Sequence, residues 1–354
     1  MKRLRLMASG ALCATAVILP TLGVGAAQAT TVNALTALTL KNGWTNAPFG
    51  TSNAAVTNIS GIVHLKGAIA TSGTNAVPFT LPKAFRPATN VWVPVDLCNA
   101  TNGRLFIQPS GVVSVEAEGG TFSNAQCFTS LDGAKFAKAA TSFTSLTLKN
   151  GWTNGAFGGS NAAVRNINGV VYFKGAIATS GTNAVPFTLP TAFRPKTDVY
   201  VKVDLCNATN GRLHITPSGT VDVEAEGGTF SNAQCFTSLD GASFAKAPAF
   251  FTNLTLKNGW TNAPFATSKA AVRGISGIVY LKGAIATSGT NSVPFTLPAN
   301  FHPGTNVFVP VDLCNATNGR LVIQHNGVVS VEAEGGTFSN AQCFTSLDGV
   351  SYFP

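Results

Sequence analysis

"VDLCNATNGRL" occupies residues 95–105, and the same eleven letters return at 203–213 and 311–321. Each occurrence holds one cysteine and one arginine, and successive occurrences lie 108 residues apart. The same offset separates "LTLKNGW" at Leu38, Leu146 and Leu254, "GAIATSGTN" at Gly67, Gly175 and Gly283, and "NAQCFTSLDG" at Asn124, Asn232 and Asn340. No insertion or deletion divides the copies. A unit of this length is far longer than a solenoid turn, which needs neighbours, and can close its own core. The chain therefore reads as three tandem domains, at 30–139, 140–247 and 248–354. The joins, near "FAKAAT" (136–141) and "FAKAPAF" (244–250), are short enough that the domains should touch.

The first 29 residues read as a signal peptide: Lys2, Arg3 and Arg5, an apolar run from Leu12 to Val24, then "AAQA" before a cut after Ala29. The run is too short and too interrupted by Gly and Pro to span a membrane, and the chain stops at "SYFP" without an apolar tail or sorting motif. The expectation is a freely secreted, extracellular protein with no membrane span once the signal is removed. The cut takes three basic and no acidic residues, leaving 20 Lys+Arg against 14 Asp+Glu, a net charge of +6. This mild surplus is dispersed, without the basic stripe that a nucleic-acid partner would require. Charged residues make up only 10% of the chain while apolar ones make up 45%, which argues against disorder and for a neutral, polar β surface.

Within one copy the period is two. "VWVPVDL" puts Val91, Val93, Val95 and Leu97 on one side and Trp92, Pro94, Asp96 and Cys98 on the other. "GIVHLKGAIAT" alternates likewise, and "RLFIQPSGVVSVEAE" reads as a hairpin about Ser110 that sets Arg104 opposite Glu116. Further strands are expected at "LTLKNGW", "AAVTNIS", "FTLP" and "CFTSLDGAKF", with no sustained helical period anywhere. Seven or eight short strands between Gly, Pro and Asn turns predict an all-β protein of three tandem, jelly-roll-like antiparallel β-sandwich domains.

Cys13 leaves with the signal, so two cysteines remain per copy: Cys98/Cys127, Cys206/Cys235 and Cys314/Cys343. In an exported chain the economical pairing is one disulfide inside each domain, out of 15 possible connectivities for six cysteines. Two thiolates without Cys-x-x-Cys spacing or nearby His are poor zinc ligands.

The order "LTLKNGWTN", "GIVYLKGAI", "FTLPANFHPGTNVFVPV", "GRLVIQHNGVVSV", "FTSLDGVSY" in the third copy resembles the C-terminal receptor-binding (tip) domain of phage tail fibre and tail spike proteins. The resemblance spans nearly all of each copy and rests mostly on turn and core patterns. It implies a β-sandwich that assembles as a trimer and contacts host surface glycans. Here it suggests a monomeric pseudo-trimer with pseudo-threefold symmetry, against the alternative of beads packed in a row. The export signal, the cysteine pairs and the lack of a fibrous shaft depart from the virion pattern.

No enzyme is read. The histidines at 64, 214, 302 and 325 occupy no slot common to all copies, which excludes a triplicated His-based catalyst, and the cysteines are committed to disulfides. Glu116 and Glu118, two apart on a strand, have a spacing that overlaps that of glycosidase carboxylates, and with Asp96, Asn99 and Asn102 they offer calcium donors. Without a dense Asp/Asn/Gly loop, neither a catalytic nor a metal site is assigned, and no cofactor is expected. Binding is the better reading. Arg104, Arg212 and Arg320 could orient a ligand beside aromatic platforms. Two sets of platforms are available: Trp44, Trp152 and Trp260 in "NGWTN", and Trp92, Tyr200 and Phe308 on the outer face of the "VPV" strand. The second set varies between copies while the apolar face does not, so that face lies outside the shared core. The expected partner is a glycan or cell-wall polymer, or another exported protein. The alternatives are a structural or assembly component, and a secreted protease inhibitor presenting "TSGTNAVP" (71–78).

Overall fold

The arginine hairpin forms in the register its alternation requires. In the computed structural model, Arg104 lies opposite Glu116, Leu105 opposite Val115 and Ile107 opposite Val113. The structure describes residues 34–138, 142–246 and 250–354. The signal peptide expected at 1–29 and the two expected domain boundaries fall outside the described residues.

The first copy comprises β1 (Thr36–Ala37), β2 (Trp44–Asn46), β3 (Ala55–Ile59), β4 (Ile62–Lys66), β5 (Ala68–Thr71), β6 (Phe79–Thr80), β7 (Val91–Asp96), β8 (Asn102–Ile107), β9 (Val112–Ala117), α1 (Phe122–Cys127), β10 (Thr129–Ser130) and β11 (Lys135–Ala137). Two four-stranded sheets, β6-β9-β8-β7 and β1-β3-β4-β11, are joined by a three-stranded one, β10-β5-β2, and every ladder is antiparallel. The inward faces, Val93, Val95, Leu105, Ile107, Val113 and Val115 against Val56, Val63 and Leu65, make one buried core. Each such side chain contributes about 1.5–3 kcal/mol on burial. The other two copies repeat the plan with their own cores.

Several elements differ from those the sequence predicts. "GIVHLKGAIAT" is two strands in different sheets, broken at Gly67. Its φ is +93°, and a Cβ there would lie 2.5 Å from the carbonyl oxygens of Ser52 and Asn53, so only glycine fits. The Gly67 N–H donates to Asp132 Oδ1 at 2.9 Å, which ties the "SLDG" turn to the break. "LTLKNGW" is not one strand: Leu38 N donates to Ala54 O at 2.9 Å, Trp44 N donates to Lys41 O at 3.1 Å across a turn, and strand pairing resumes at Trp44. Finally, "FSNAQC" is a helix in every copy, α1 and its equivalents α2 (Phe230–Cys235) and α3 (Phe338–Cys343), too short at six residues to show a period.

These helices deliver the second cysteine of each pair. Cys127 bonds to Cys98, Cys235 to Cys206 and Cys343 to Cys314, with Cα–Cα distances of 5.7, 5.8 and 5.7 Å. All three disulfides thus form within their own copy. Cys127, Cys235 and Cys343 each end a helix, not a strand, because the cysteine that opens "CFTSLDGAKF" precedes the pairing that starts at Thr129, Thr237 and Thr345.

The three copies close into a ring. β7 and its equivalents, Val199–Asp204 and Val307–Asp312, each contact the other two about a common axis. Asn102 donates to Ala208 O, Asn210 to Ala316 O and Asn318 to Ala100 O, at 2.6, 2.6 and 2.5 Å. Asn90 N, Asp198 N and Asn306 N reach Gly158 O, Ala266 O and Gly50 O at 3.2, 3.2 and 3.1 Å. Copies one and three therefore touch as the other pairs do, and the arrangement is pseudo-threefold rather than a row. The second face of β4 and its equivalents is buried too. Ile62, Val170, Ile278, Tyr172, Tyr280 and Phe353 form an apolar cluster between copies, in which the Tyr172 and Tyr280 hydroxyls bond to each other at 2.6 Å. His64, the third member of that slot, is buried and neutral: burial first, then the Lys135 charge, lowers it to about 3.

Candidate ligand-binding clefts

Closure of the ring brings aromatic rings and an arginine from two copies together at three related places, and at two of them a cleft opens. In the first, Trp92 stacks on Phe106 (centroids 5.0 Å, planes 14° apart) and meets Phe236 of the second copy edge-on at 5.0 Å. Phe157 of the second copy continues the aromatic wall, 5.6 Å from Phe236. Arg104, Cys206 and Asn207 complete the lining of a space of about 170 Å³. The second cleft, of about 120 Å³, is lined by Tyr200, Arg212, Phe265, Cys314, Asn315 and Phe344. There Tyr200 lies flat on His214 at 4.4 Å, with the Arg212 guanidinium 4.8 Å from the Tyr200 centroid. The third repeats the aromatic wall: Phe308 meets Phe128 at 5.0 Å, Phe128 meets Phe49 at 5.7 Å, and Arg320 stands 5.1 Å from Phe308. Its stacking slot holds Val322 instead of a ring.

Two local features shape each rim. Phe49, Phe157 and Phe265 are 63, 65 and 59% exposed, large apolar side chains turned to water. Their backbones are left-handed, with φ of 55°, 51° and 53°, a conformation that costs an L-residue about 1–2 kcal/mol. Opposite them, Asn99, Asn207 and Asn315 also adopt positive φ, which Asn tolerates best among non-glycine residues. The disulfide fastens each of these turns to the helix before Phe128, Phe236 or Phe344.

The arginines are held from two sides. Arg104 Nε donates to Glu116 at 2.6 Å, as the hairpin register predicts, while Nη1 donates to Asp204 of the next copy at 3.0 Å and to Leu205 O at 3.2 Å. Arg212 and Arg320 repeat this with Asp312 and Asp96, each at 3.1 Å. Burial pushes Asp96, Asp204 and Asp312 up to about 7, against the pull of the facing guanidiniums.

Of the residues singled out from sequence, Trp92, Tyr200, Phe308 and the three arginines come together where the copies meet, but Trp92 and Tyr200, 6 and 9% exposed, are buried in the contact between copies and floor the clefts rather than standing as open platforms. The cysteines divide. Cys206 lines the first cleft and Cys314 the second, whereas their partners Cys235 and Cys343 line neither and act on the clefts only as tethers. Trp44, Trp152 and Trp260 do not reach the clefts at all. They are buried lids of the domain cores, with Nε1 donating to the backbone carbonyls of Asn75, Asn183 and Asn291 at 2.8, 2.9 and 2.8 Å. The "TSGTNAVP" loop thereby serves as an anchor for Trp44, and Gln126 also donates to its Gly73 O at 2.7 Å. Glu116 and Glu118 do not act as a pair, because the strand ends at Ala117 and Glu118 turns away in the Glu118–Gly120 turn. The exposed phenylalanines escaped sequence reasoning. Their one signal was a bulky residue recurring in the Gly-bounded or Pro-bounded loops "NAPFG", "NGAFG" and "NAPFA".

Comparison with protein-family models, with curated proteins and with solved structures gave no match. Among the described residues, no helix is long and apolar enough to cross a membrane.

Proposed function

We propose that this is a secreted, non-enzymatic binding protein that recognises glycan or cell-wall material through its interdomain clefts. The observation that carries the reading is the exposed phenylalanine held in a costly backbone conformation in all three copies, which at Phe157 and Phe265 shares a cleft with an arginine and an asparagine. Backbone strain of this kind persists where function uses it. A phenyl ring gives area to the apolar face of a sugar ring, while guanidinium and amide groups bond its hydroxyls and fix its orientation. Each cleft is small and open, suited to one ring of a longer polymer. Avidity would come from linked sites meeting a repetitive surface, which multiplies weak affinities without new contacts. The similarity of motif order to tail fibre tips points the same way.

The test is a glycan array and a pull-down on bacterial and fungal wall polysaccharides. The mature chain is compared with the Phe49→Ala/Phe157→Ala/Phe265→Ala variant. Binding that the triple variant loses supports the reading. The absence of any signal on polysaccharide or wall preparations overturns it.

A further inference from the structure

Glu118, Glu226 and Glu334 each follow the second strand of a hairpin, and ring closure brings them together from three different copies. One carboxylate oxygen of each lies within 4.8 Å of the other two. All three are half-buried, beside exposed Gly119-Gly120 and its equivalents, so the cluster lies just beneath the surface. Glu118 Oε2 is buried without a hydrogen-bond partner. A second ring adjoins the first. The side chains of Asn210 and Asn318 both accept from Lys202 Nζ, so these amide oxygens point inward. The equivalent oxygen of Asn102, a residue only 1% exposed, has no partner. The Asn102 backbone N–H lies against the Glu334 carboxylate, which places the two rings in contact. Three carboxylates face a single ammonium, since Pro94 and Pro310 stand where the second copy has Lys202.

We propose that this cluster is a binding site for a calcium-class divalent cation, with Glu118, Glu226 and Glu334 as carboxylate ligands and the Asn102 amide oxygen as a neutral donor. Ca²⁺ binds oxygen at about 2.3–2.6 Å, so a single ion spans oxygens up to about 5 Å apart, whereas Mg²⁺ requires a tighter octahedron. Water completes the shell from the open side. One nearby ammonium and only three carboxylates put the affinity in the range of extracellular calcium modules, about 10⁻⁴–10⁻³ M. The ion would link all three copies at one end of the axis, where ionised carboxylates otherwise repel. The sequence hid the site because no copy supplies more than one of its glutamates.

The experiment titrates the metal-free full-length mature chain with CaCl₂ by calorimetry and with Tb³⁺ by luminescence, adding Ca²⁺ in competition. Saturable binding of one ion per chain is expected, with Mg²⁺ weaker. Glu118→Gln/Glu226→Gln/Glu334→Gln should abolish it, and Lys202→Pro, the residue of the other copies, should tighten it several-fold. Circular dichroism confirms that each variant is folded. The proposal falls if the wild-type chain gives neither heat nor luminescence up to about 10 mM, or if the folded glutamine variant binds as tightly as the wild type.

Discussion

Arg104 of the first copy and Asp204 of the second form an ion pair of 3.0 Å across the domain boundary, with Asp204 fully buried. The same guanidinium holds Glu116 at 2.6 Å, but that carboxylate is 37% exposed. The two partners differ in environment, and so should the cost of losing them. Arg104→Ala leaves Asp204 without its counter-charge in the interior and should destabilise by about 3–5 kcal/mol. Glu116→Ala should cost less than about 1 kcal/mol. Urea unfolding of the two variants measures both, and equal costs would contradict the assignment of Asp204 as the structural partner.

Strain and packing nearly offset each other at the cleft rim. Replacing Phe49, Phe157 and Phe265 by Gly relieves about 1 kcal/mol of left-handed strain per site and removes edge-on aromatic contacts worth about 0.5–1.5 kcal/mol. The triple Gly variant should therefore melt close to the wild type while losing ligand binding. A large fall in melting temperature would show that these rings serve the fold.

Each disulfide joins cysteines 29 residues apart. Constraining a loop of that size should stabilise by about 3–4 kcal/mol in the chain-entropy model. Cys206→Ser/Cys235→Ser should lose this amount and also loosen the Asn207 wall of the first cleft, weakening binding there. Unfolding of the oxidised double variant, with peptide mapping of the two remaining bonds, Cys98–Cys127 and Cys314–Cys343, checks both points.

His64 gives the ring an acid-side weakness. Its ordinary value near 6.5 is lowered to about 3 in the folded chain, chiefly by burial and then by Lys135. The unfolded chain takes up a proton that the folded one refuses. The contribution of this group is thus complete above about 6.5 and declines as pH falls towards 3, by up to about 1.4 kcal/mol per pH unit. His64→Tyr, which matches Tyr172 and Tyr280, should flatten that part of the curve relative to the wild type. Unfolding free energies at pH 7, 5 and 4 for both proteins give the difference, and parallel curves would rule out His64 as the cause.

What the sequence disclosed was whatever lies within one copy. The alternation in "VWVPVDL", the pairing of Arg104 with Glu116 and the partners of all six cysteines depend on neighbours in a single 108-residue unit, where period and spacing speak directly. Asp204, Phe157 and the Glu118 cluster acquire their roles only when three copies close, and nothing in a linear period encodes that contact. One trace was present. Three of the slots that differ between copies, His64/Tyr172/Tyr280, Trp92/Tyr200/Phe308 and Pro94/Lys202/Pro310, lie where the copies meet.

Lys202 also bears on how single domains assemble. Its ammonium reaches the amide oxygens of both Asn210 and Asn318, where the three copies meet. A homotrimer of the second copy would place three such ammoniums around the axis. Two of them held about 5 Å apart in a medium of effective dielectric constant near 20 repel by about 3 kcal/mol. The third copy, with Pro310 in that slot, has no such obstacle and presents the same cyclic surfaces. Residues 250–354 expressed alone under oxidising conditions should therefore assemble into trimers, residues 142–246 should remain monomeric, and Lys202→Pro should shift the latter towards trimer. Sedimentation equilibrium across a concentration series distinguishes the outcomes. A folded third copy that stays monomeric at every concentration would mean that the ring depends on the covalent joins rather than on the surfaces described.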